Sequence, residues 1–261
     1  MTTSAAAIRP RPARRQAPAG VVVIAALALL SGCAEEPEPT PSPLPPTATQ
    51  APPSTPPTPA PPEEPTTPPP PAEPAVHATG LEAPWSITFH GTTPLVSERD
   101  SGRVLEIDEE GSPREVGTIE GVAAAGEGGL LGILAHDDHL YAYFTTGADN
   151  RIARFALTGE PGTLELGASE TILDGIPAAT NHNGGRLAIG PDGMLYATTG
   201  DAAIPGASQD RDSLGGKILR MTPEGEAPSD NPFDDSLVYS YGHRNVQGIA
   251  WDEDGTMYAS E

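Results

Sequence analysis

The stretch Arg186–Asp201, RLAIGPDGMLYATTGD, decides the fold. It begins with a short apolar segment, turns at Pro-Asp-Gly, and continues in a second apolar segment that ends in small and hydroxylated residues. Glycine supplies the positive φ angle that a tight turn between two strands needs. The stretch therefore predicts a β-hairpin.

The hairpin pattern recurs along the chain, and no segment from Val76 onward keeps a 3.6-residue apolar period. Paired short strands that recur at roughly 40 to 60 residues are typical of β-propeller blades. We therefore predict an all-β chain, a β-propeller of which about three and a half blades are present. A β-sandwich is the structural alternative. The other three copies of the pattern are WSITFHGTTPLVSERDSGRVLEID from Trp85, GILAHDDHLYAYFTTGADNRIARFAL from Gly132 and GIAWDEDGTMYASE from Gly248.

Residues 1–33 have the order of a secretory signal: arginines, then the apolar run VVVIAALALL, then Ser-Gly-Cys. The apolar run is about half of the roughly 20 residues that span a bilayer. Cys33 is the single cysteine, so no intrachain disulfide can form. Its position resembles the bacterial lipobox, in which the cysteine is lipidated. We predict a lipid-anchored, extracytoplasmic protein; a secreted protein with an incidental cysteine is the alternative.

Residues 34–75 are rich in proline and acidic side chains and contain no basic residue. Such a segment cannot bury a core and favours polyproline II, so we predict a disordered linker that separates the membrane from a folded part at residues 76–261. The whole chain has 36 acidic and 14 basic residues and a net charge of -22. A dispersed acidic surface argues against binding to nucleic acid.

Five motifs give a more specific indication. Their order and spacing resemble the glucose/sorbosone dehydrogenase family, the soluble-type aldose dehydrogenases that depend on pyrroloquinoline quinone (PQQ), over residues 81–261. The resemblance implies a six-bladed propeller, PQQ and Ca²⁺ as cofactors, an aldose substrate that is oxidised to a lactone, and a respiratory electron acceptor. The motifs are GEGGLLGILAH from Gly126, HNGGRLAIGPDGMLYATTGD from His182, SLGGKILRM from Ser213, DNPF from Asp230 and YGHRNVQGIAW from Tyr241.

The resemblance assigns roles to individual residues. His182 matches the catalytic base, and an imidazole suits that task because it ionises near neutral pH. Arg244 and Asn245 match the pair that contacts the cofactor, and the guanidinium of Arg244 would polarise the quinone carbonyl that is reduced. An ordinary loop histidine and an interblade salt bridge are the alternatives for His182 and Arg244.

Three further residues have weaker assignments. Lys217, the single lysine, is a candidate cofactor contact or a strand-edge residue. Glu127 is a candidate substrate contact or a solvated acid in a turn. Asp201 is a candidate substrate contact that orients His182 or caps a turn.

The family's calcium-binding segment follows a strand that ends in Ser-Glu, and this sequence ends at Glu261. We therefore expect the metal ligands beyond Glu261 and expect the chain as given to be inactive and poorly folded by itself. A non-catalytic propeller lipoprotein that binds sugar or a protein partner is the alternative function. A metal-dependent lactone hydrolase would need a cage of carboxylates and asparagine that the spacing does not provide.

Overall fold

The computed structural model describes residues 75–261, so the predicted signal peptide, Cys33 and almost all of the predicted linker lie outside the described residues. Residues 75–261 form 14 strands in four antiparallel sheets. Within this range no helix is long and apolar enough to cross a membrane. The all-β prediction is confirmed for the described part of the chain.

Each sheet is a meander of consecutive strands, the arrangement of a propeller blade. Sheet 1 comprises β1 (Pro84–His90), β2 (Thr93–Glu98), β3 (Arg103–Ile107) and β4 (Pro113–Thr118). Sheet 2 comprises β5 (Leu130–His136), β6 (His139–Thr145), β7 (Asn150–Thr158) and β8 (Glu165–Ile176). Sheet 3 comprises β9 (Leu187–Ile189), β10 (Leu195–Thr198), β11 (Lys217–Met221) and β12 (Val238–Tyr241). Sheet 4 has two strands, β13 (Gly248–Trp251) and β14 (Met257–Ser260).

The hairpin predicted at residues 186–201 is confirmed as β9 and β10. Leu195 pairs with Ile189, and Gly193 has a φ of 76° in the turn. Asp192 stabilises the turn because one carboxylate oxygen accepts the Met194 N–H at 3.1 Å. The turn therefore forms from local residues, as the sequence pattern requires.

Neighbouring sheets pack face to face through apolar side chains. One cluster joins sheets 1 and 2 and a second joins sheets 2 and 3, and the members at their centres are fully buried. Burying one such side chain contributes about 1.5–3 kcal/mol, so this packing fixes the position of each sheet against the next. The fully buried members include Leu95, Val104, Leu130 and Leu140 in the first cluster and Tyr143, Ile152, Leu195 and Leu219 in the second.

The DNPF motif has a structural role in sheet 3. Arg220 of β11 is buried and donates to Asp192 Oδ2, Asp230 Oδ1 and Asn231 Oδ1, each at 2.8 Å. Asn231 Nδ2 donates back to the Arg220 carbonyl at 2.9 Å. The hydrogen bonds to Asp230 and Asp192 raise the pKa of Arg220, although burial opposes them. The motif therefore anchors the loop that precedes β12.

In three sheets a carboxylate at the end of the second strand, or shortly after it, binds the segment that leads into the first strand of the same sheet. In an antiparallel hairpin the residues before one strand and after the other lie at the same end, so the sequence repeat produces this contact each time. The three bonds are Glu82 N–H to Glu98 Oε1 at 2.8 Å, His182 Nδ1 to Asp201 Oδ1 at 2.8 Å, and Arg244 N–H to Glu261 Oε2 at 3.0 Å.

Candidate active site

His182 lies in the loop before β9, in a strained backbone conformation. Its φ is 59°, in the left-handed region, which costs a non-glycine residue about 1–3 kcal/mol. The strain is held from both sides, because the His182 N–H donates to Glu127 Oε2 at 2.8 Å and the His182 carbonyl accepts the Ala202 N–H at 3.1 Å. Strain that the surroundings maintain in this way is typical of functional sites.

Glycine at position 200 allows the strand end to lie against this loop. A Cβ atom at Gly200 would be 1.8 Å from the His182 carbonyl oxygen, so no side chain fits there. Gly200 immediately precedes Asp201 in the chain. The close approach therefore brings the carboxylate of Asp201 to the imidazole of His182.

Within residues 75–261, the imidazole of His182 is bound at one nitrogen only. Its Nδ1 lies 2.8 Å from Asp201 Oδ1, and the two side chains are 10% and 23% exposed. The same carboxylate oxygen accepts the Ala203 N–H at 2.8 Å. A carboxylate at Nδ1 holds the proton on that nitrogen and leaves the lone pair on Nε2. Nε2 has no hydrogen-bond partner among residues 75–261. The loop thus carries an oriented base.

Arg244 and Asn245 lie beside this loop. Asn245 Oδ1 accepts the Gly184 N–H at 2.9 Å, and the Asp201 N–H donates to the Arg244 carbonyl at 2.9 Å. The Arg244 residue is exposed, and within the described range its guanidinium has neither a hydrogen bond nor an ion pair. The predicted pair therefore lies next to His182, and the alternative of an interblade salt bridge is not formed within residues 75–261.

The donors at this site fit a flat anionic cofactor. The guanidinium of Arg244 offers a rigid fork of N–H groups that matches carboxylate and quinone oxygens. Gly184 and Gly185 adopt positive φ angles of 65° and 108°, and a Cβ atom there would lie 2.6 Å from the Thr199 backbone and 2.8 Å from the Leu131 side chain, so the two glycines let the loop pack closely against the sheets. PQQ carries both carboxylates and quinone oxygens, so its chemistry agrees with this donor set.

Glu127 and Lys217 make contacts of their own. Glu127 is exposed, and one of its carboxylate oxygens holds the backbone of His182. Lys217 is fully buried in β11, and its ammonium donates to three backbone carbonyls, those of Ala207 at 2.8 Å, Ser208 at 3.2 Å and Gly215 at 2.5 Å. Burial lowers the pKa of the Lys217 ammonium. Lys217 therefore anchors the loop after β10, and the substrate and cofactor contacts assigned to Glu127 and Lys217 stay predictions.

A buried polar network under the loop was missed by the sequence reasoning. Tyr143 donates its hydroxyl to the Asn183 carbonyl at 2.8 Å, and burial raises the pKa of Tyr143, which keeps the phenol protonated. Asn150 Nδ2 donates to Asn183 Oδ1 at 3.0 Å. The only signal in the sequence was the position of Asn183 beside His182. This network fixes the loop to sheet 2.

A surface cleft lies apart from the candidate active site. The cleft has a volume of about 580 Å³ and is lined by residues that include Gly117, Thr146, Arg151 and Leu166, and none of the predicted site residues lines it.

Within residues 75–261, no three His, Cys, Asp or Glu side chains lie close enough together to hold a metal ion. The calcium site expected beyond Glu261 stays a prediction.

The sheets and the loop cluster together define, over residues 75–261, an all-β, propeller-like protein with a histidine–carboxylate pair beside an exposed arginine. Residues 81–261 match the family model described as Glucose / Sorbosone dehydrogenase. The chain therefore belongs to the glucose/sorbosone dehydrogenase family.

Similar proteins, among them one of solved structure, agree with this assignment. The structure of the PQQ-bound form of an aldose sugar dehydrogenase from Streptomyces coelicolor is 51% identical with a TM-score of 0.68, over 72% of this chain and 58% of that chain. Quinoprotein glucose dehydrogenase B of Acinetobacter calcoaceticus is 31% identical over 206 residues, 64% of this chain and 43% of that protein. An aldose sugar dehydrogenase of Escherichia coli K12 is 29% identical over 65% of this chain and 50% of that protein. The chain thus spans about half the length of the curated relatives that it matches.

Proposed function

We propose that the full-length protein is an extracytoplasmic, lipid-anchored quinoprotein that oxidises aldoses at the anomeric carbon to lactones. The proposal rests on the His182 imidazole, which is bound to Asp201 at Nδ1 and has no protein partner at Nε2 within residues 75–261. Asn245 contacts the loop that carries His182, and the Arg244 carbonyl accepts the Asp201 N–H. Family membership and the names of the relatives support it.

His182 would act as the general base. Oxidation of an aldose to a lactone removes the proton of the anomeric hydroxyl, and the Nε2 lone pair is the available acceptor. The Asp201 carboxylate 2.8 Å from Nδ1 stabilises the imidazolium that results. A positioned base of this kind contributes about 10²–10⁴-fold to the rate.

Arg244 and Asn245 would hold the cofactor. PQQ, when bound, supplies the acceptor for the two electrons that leave the anomeric carbon. The guanidinium of Arg244 would donate to its oxygens and stabilise negative charge there, and Asn245 fixes the histidine loop through its bond to Gly184. Ca²⁺ as the second cofactor rests on the family resemblance.

The cellular setting of the proposal rests on the sequence. Lipidation at Cys33 would anchor the protein outside the cytoplasm, and the linker at residues 34–75 would hold the folded part away from the membrane. A respiratory acceptor would take the electrons. The net charge of -22 disfavours an acidic sugar, so a neutral aldose is the expected substrate class.

The test uses the full-length protein, supplied with PQQ and Ca²⁺, and follows dye reduction with a panel of aldoses. His182→Ala is expected to lower kcat by about 10³-fold while PQQ still binds. His90→Ala, at the β1–β2 turn, is the matched histidine control and should leave kcat unchanged. A wild-type protein that binds PQQ but turns over no aldose would support a non-catalytic binding protein, and one that binds no PQQ would end the proposal.

A further inference from the structure

A second histidine–carboxylate pair lies next to the first. His243 Nδ1 is 2.9 Å from Glu261 Oε1, and His243 Nε2 is 2.8 Å from Ser240 Oγ. The pair repeats the geometry of His182 and Asp201, and it likewise joins the segment before the first strand of a sheet to the residue after the second strand.

The two pairs differ at the outer nitrogen of the imidazole. His182 has no protein partner at Nε2 within the described residues, whereas His243 is bound at both ring nitrogens. His243 therefore links two groups and does not present a free base. One oxygen of the Glu261 carboxylate binds His243, and its second oxygen is engaged elsewhere.

That second oxygen binds the backbone of Arg244. Glu261 Oε2 accepts the Arg244 N–H at 3.0 Å, and the Arg244 carbonyl accepts the Asp201 N–H at 2.9 Å. The backbone of Arg244 is thus held on both sides, by Glu261 of sheet 4 and by the residue that also orients His182. Its guanidinium remains unpaired within residues 75–261, so these contacts restrict the arginine at its backbone and leave the side-chain donors available.

The ionisation of Glu261 agrees with this arrangement. Burial acts to raise the pKa of Glu261, but hydrogen bonds from the Arg244 N–H and the His243 ring outweigh it, so the pKa is lowered. The carboxylate is therefore charged at neutral pH and accepts both bonds in their stronger, charge-assisted form.

We infer that Ser240, His243 and Glu261 form a clip that positions the guanidinium of Arg244 toward the PQQ of the proposed function, on which this inference rests. The three are positioning residues, since they act through Arg244. Because the clip fixes the backbone of Arg244, it fixes the direction in which the arginine side chain projects. The contact with Asp201 fixes this direction relative to His182.

The first measurement is the affinity of the full-length protein for PQQ, from a fluorescence titration. Glu261→Ala is expected to weaken PQQ binding about tenfold, because it removes charge-assisted bonds to the arginine backbone and to the histidine. Asp252→Ala is the matched control: its carboxylate also accepts backbone N–H groups in sheet 4, those of Asp254 and Thr256, but does not touch residue 244. This control should leave the affinity within about twofold of wild type.

A double-mutant cycle distinguishes a specific effect of Glu261 on Arg244 from a general loosening of the structure around the site. In an Arg244→Ala background the Glu261→Ala change should cause no further loss of PQQ affinity, because the residue through which it acts is gone. A further tenfold loss in that background, or equal losses in Glu261→Ala and Asp252→Ala, overturns the clip while leaving the proposed function intact.

A second measurement needs no cofactor. Hydrogen exchange of the Arg244 backbone amide, followed by NMR, should become at least about tenfold faster in Glu261→Ala than in wild type. Equal exchange rates in the two proteins overturn the clip. A wild-type protein that protects this amide but binds no PQQ refutes the proposed function, and with it the role of the clip in cofactor binding.

Discussion

Replacement of Asp201 distinguishes its two effects on His182, which are the hydrogen bond that orients the imidazole and the negative charge that stabilises the imidazolium. Both donors at this carboxylate, His182 Nδ1 and the Ala203 N–H, use the same oxygen, Oδ1. An asparagine can therefore place its carbonyl oxygen at the Oδ1 position, keep both bonds and turn its amide group to the other side. Asp201→Asn thus retains the orientation and the tautomer of His182 and loses the negative charge, whereas Asp201→Ala loses all three.

The expected magnitudes follow from these contacts. A charge-assisted hydrogen bond is roughly twice as strong as a neutral one, so Asp201→Asn costs about 1–1.5 kcal/mol of stabilisation of the imidazolium, which is about tenfold in kcat. Asp201→Ala leaves the imidazole unoriented and should lower kcat by about 10³-fold. The assay is dye reduction by the PQQ-loaded, full-length protein with a neutral aldose. A loss in Asp201→Asn as large as in Asp201→Ala refutes this reasoning, and full activity in both variants removes Asp201 from the role of the residue that orients His182.

Three predictions concern stability and the loops that build the site. Lys217→Met should lower the free energy of unfolding by about 2–4 kcal/mol in urea denaturation, because three backbone carbonyls lose their donor. Unchanged stability together with a loss of PQQ affinity would instead indicate that Lys217 contacts the cofactor directly. Gly200→Ala should lower the free energy of unfolding by about 1–3 kcal/mol and abolish activity, because the added Cβ would meet the His182 carbonyl. Gly147→Ala is the control and should change neither, because no atom lies within 4 Å of a Cβ at that position. Equal effects of the two substitutions would contradict the close approach at Gly200. Burial acts to raise the pKa of Glu98, but backbone, hydroxyl and guanidinium donors outweigh it, so the pKa of Glu98 in the folded protein lies below its ordinary value. The stability that this carboxylate provides is therefore present above about pH 4.5 and lost as pH falls through the folded-state pKa, so the difference in Tm between wild type and Glu98→Gln should shrink below that pH; a constant difference contradicts it.

The local part of the fold and site was predictable from the sequence. Strand alternation and the Pro-Asp-Gly turn define β9 and β10, and an antiparallel hairpin brings its two flanks to one end. His182 and Asp201 flank this hairpin, so their contact follows from the local pattern. The same reasoning applied to sheet 4 predicts the contact between residue 243 and Glu261, and the Ser-Glu at the end of β14 was the available signal.

Other features depend on packing between sheets and carry no residue-type signal. The acceptors around Lys217 are backbone carbonyls, whose positions depend on the path of residues 201–216, so the sequence could not distinguish a caged ammonium from a cofactor contact. The contact of Asn245 with Gly184 joins two sheets, and periodicity within one sheet does not specify it. The network of Tyr143 and Asn183 is likewise a contact between sheets 2 and 3.

The central claim is that the imidazole of His182 and the guanidinium of Arg244 act on one bound cofactor. Its most direct test is a crystal structure of the full-length protein with PQQ and an aldose. We expect His182 Nε2 to lie within about 2.6–3.2 Å of the anomeric hydroxyl oxygen and the Arg244 guanidinium to lie within hydrogen-bond distance of an oxygen of PQQ. A PQQ molecule bound away from both residues, or an Arg244 that is paired with a carboxylate of the protein, would contradict it.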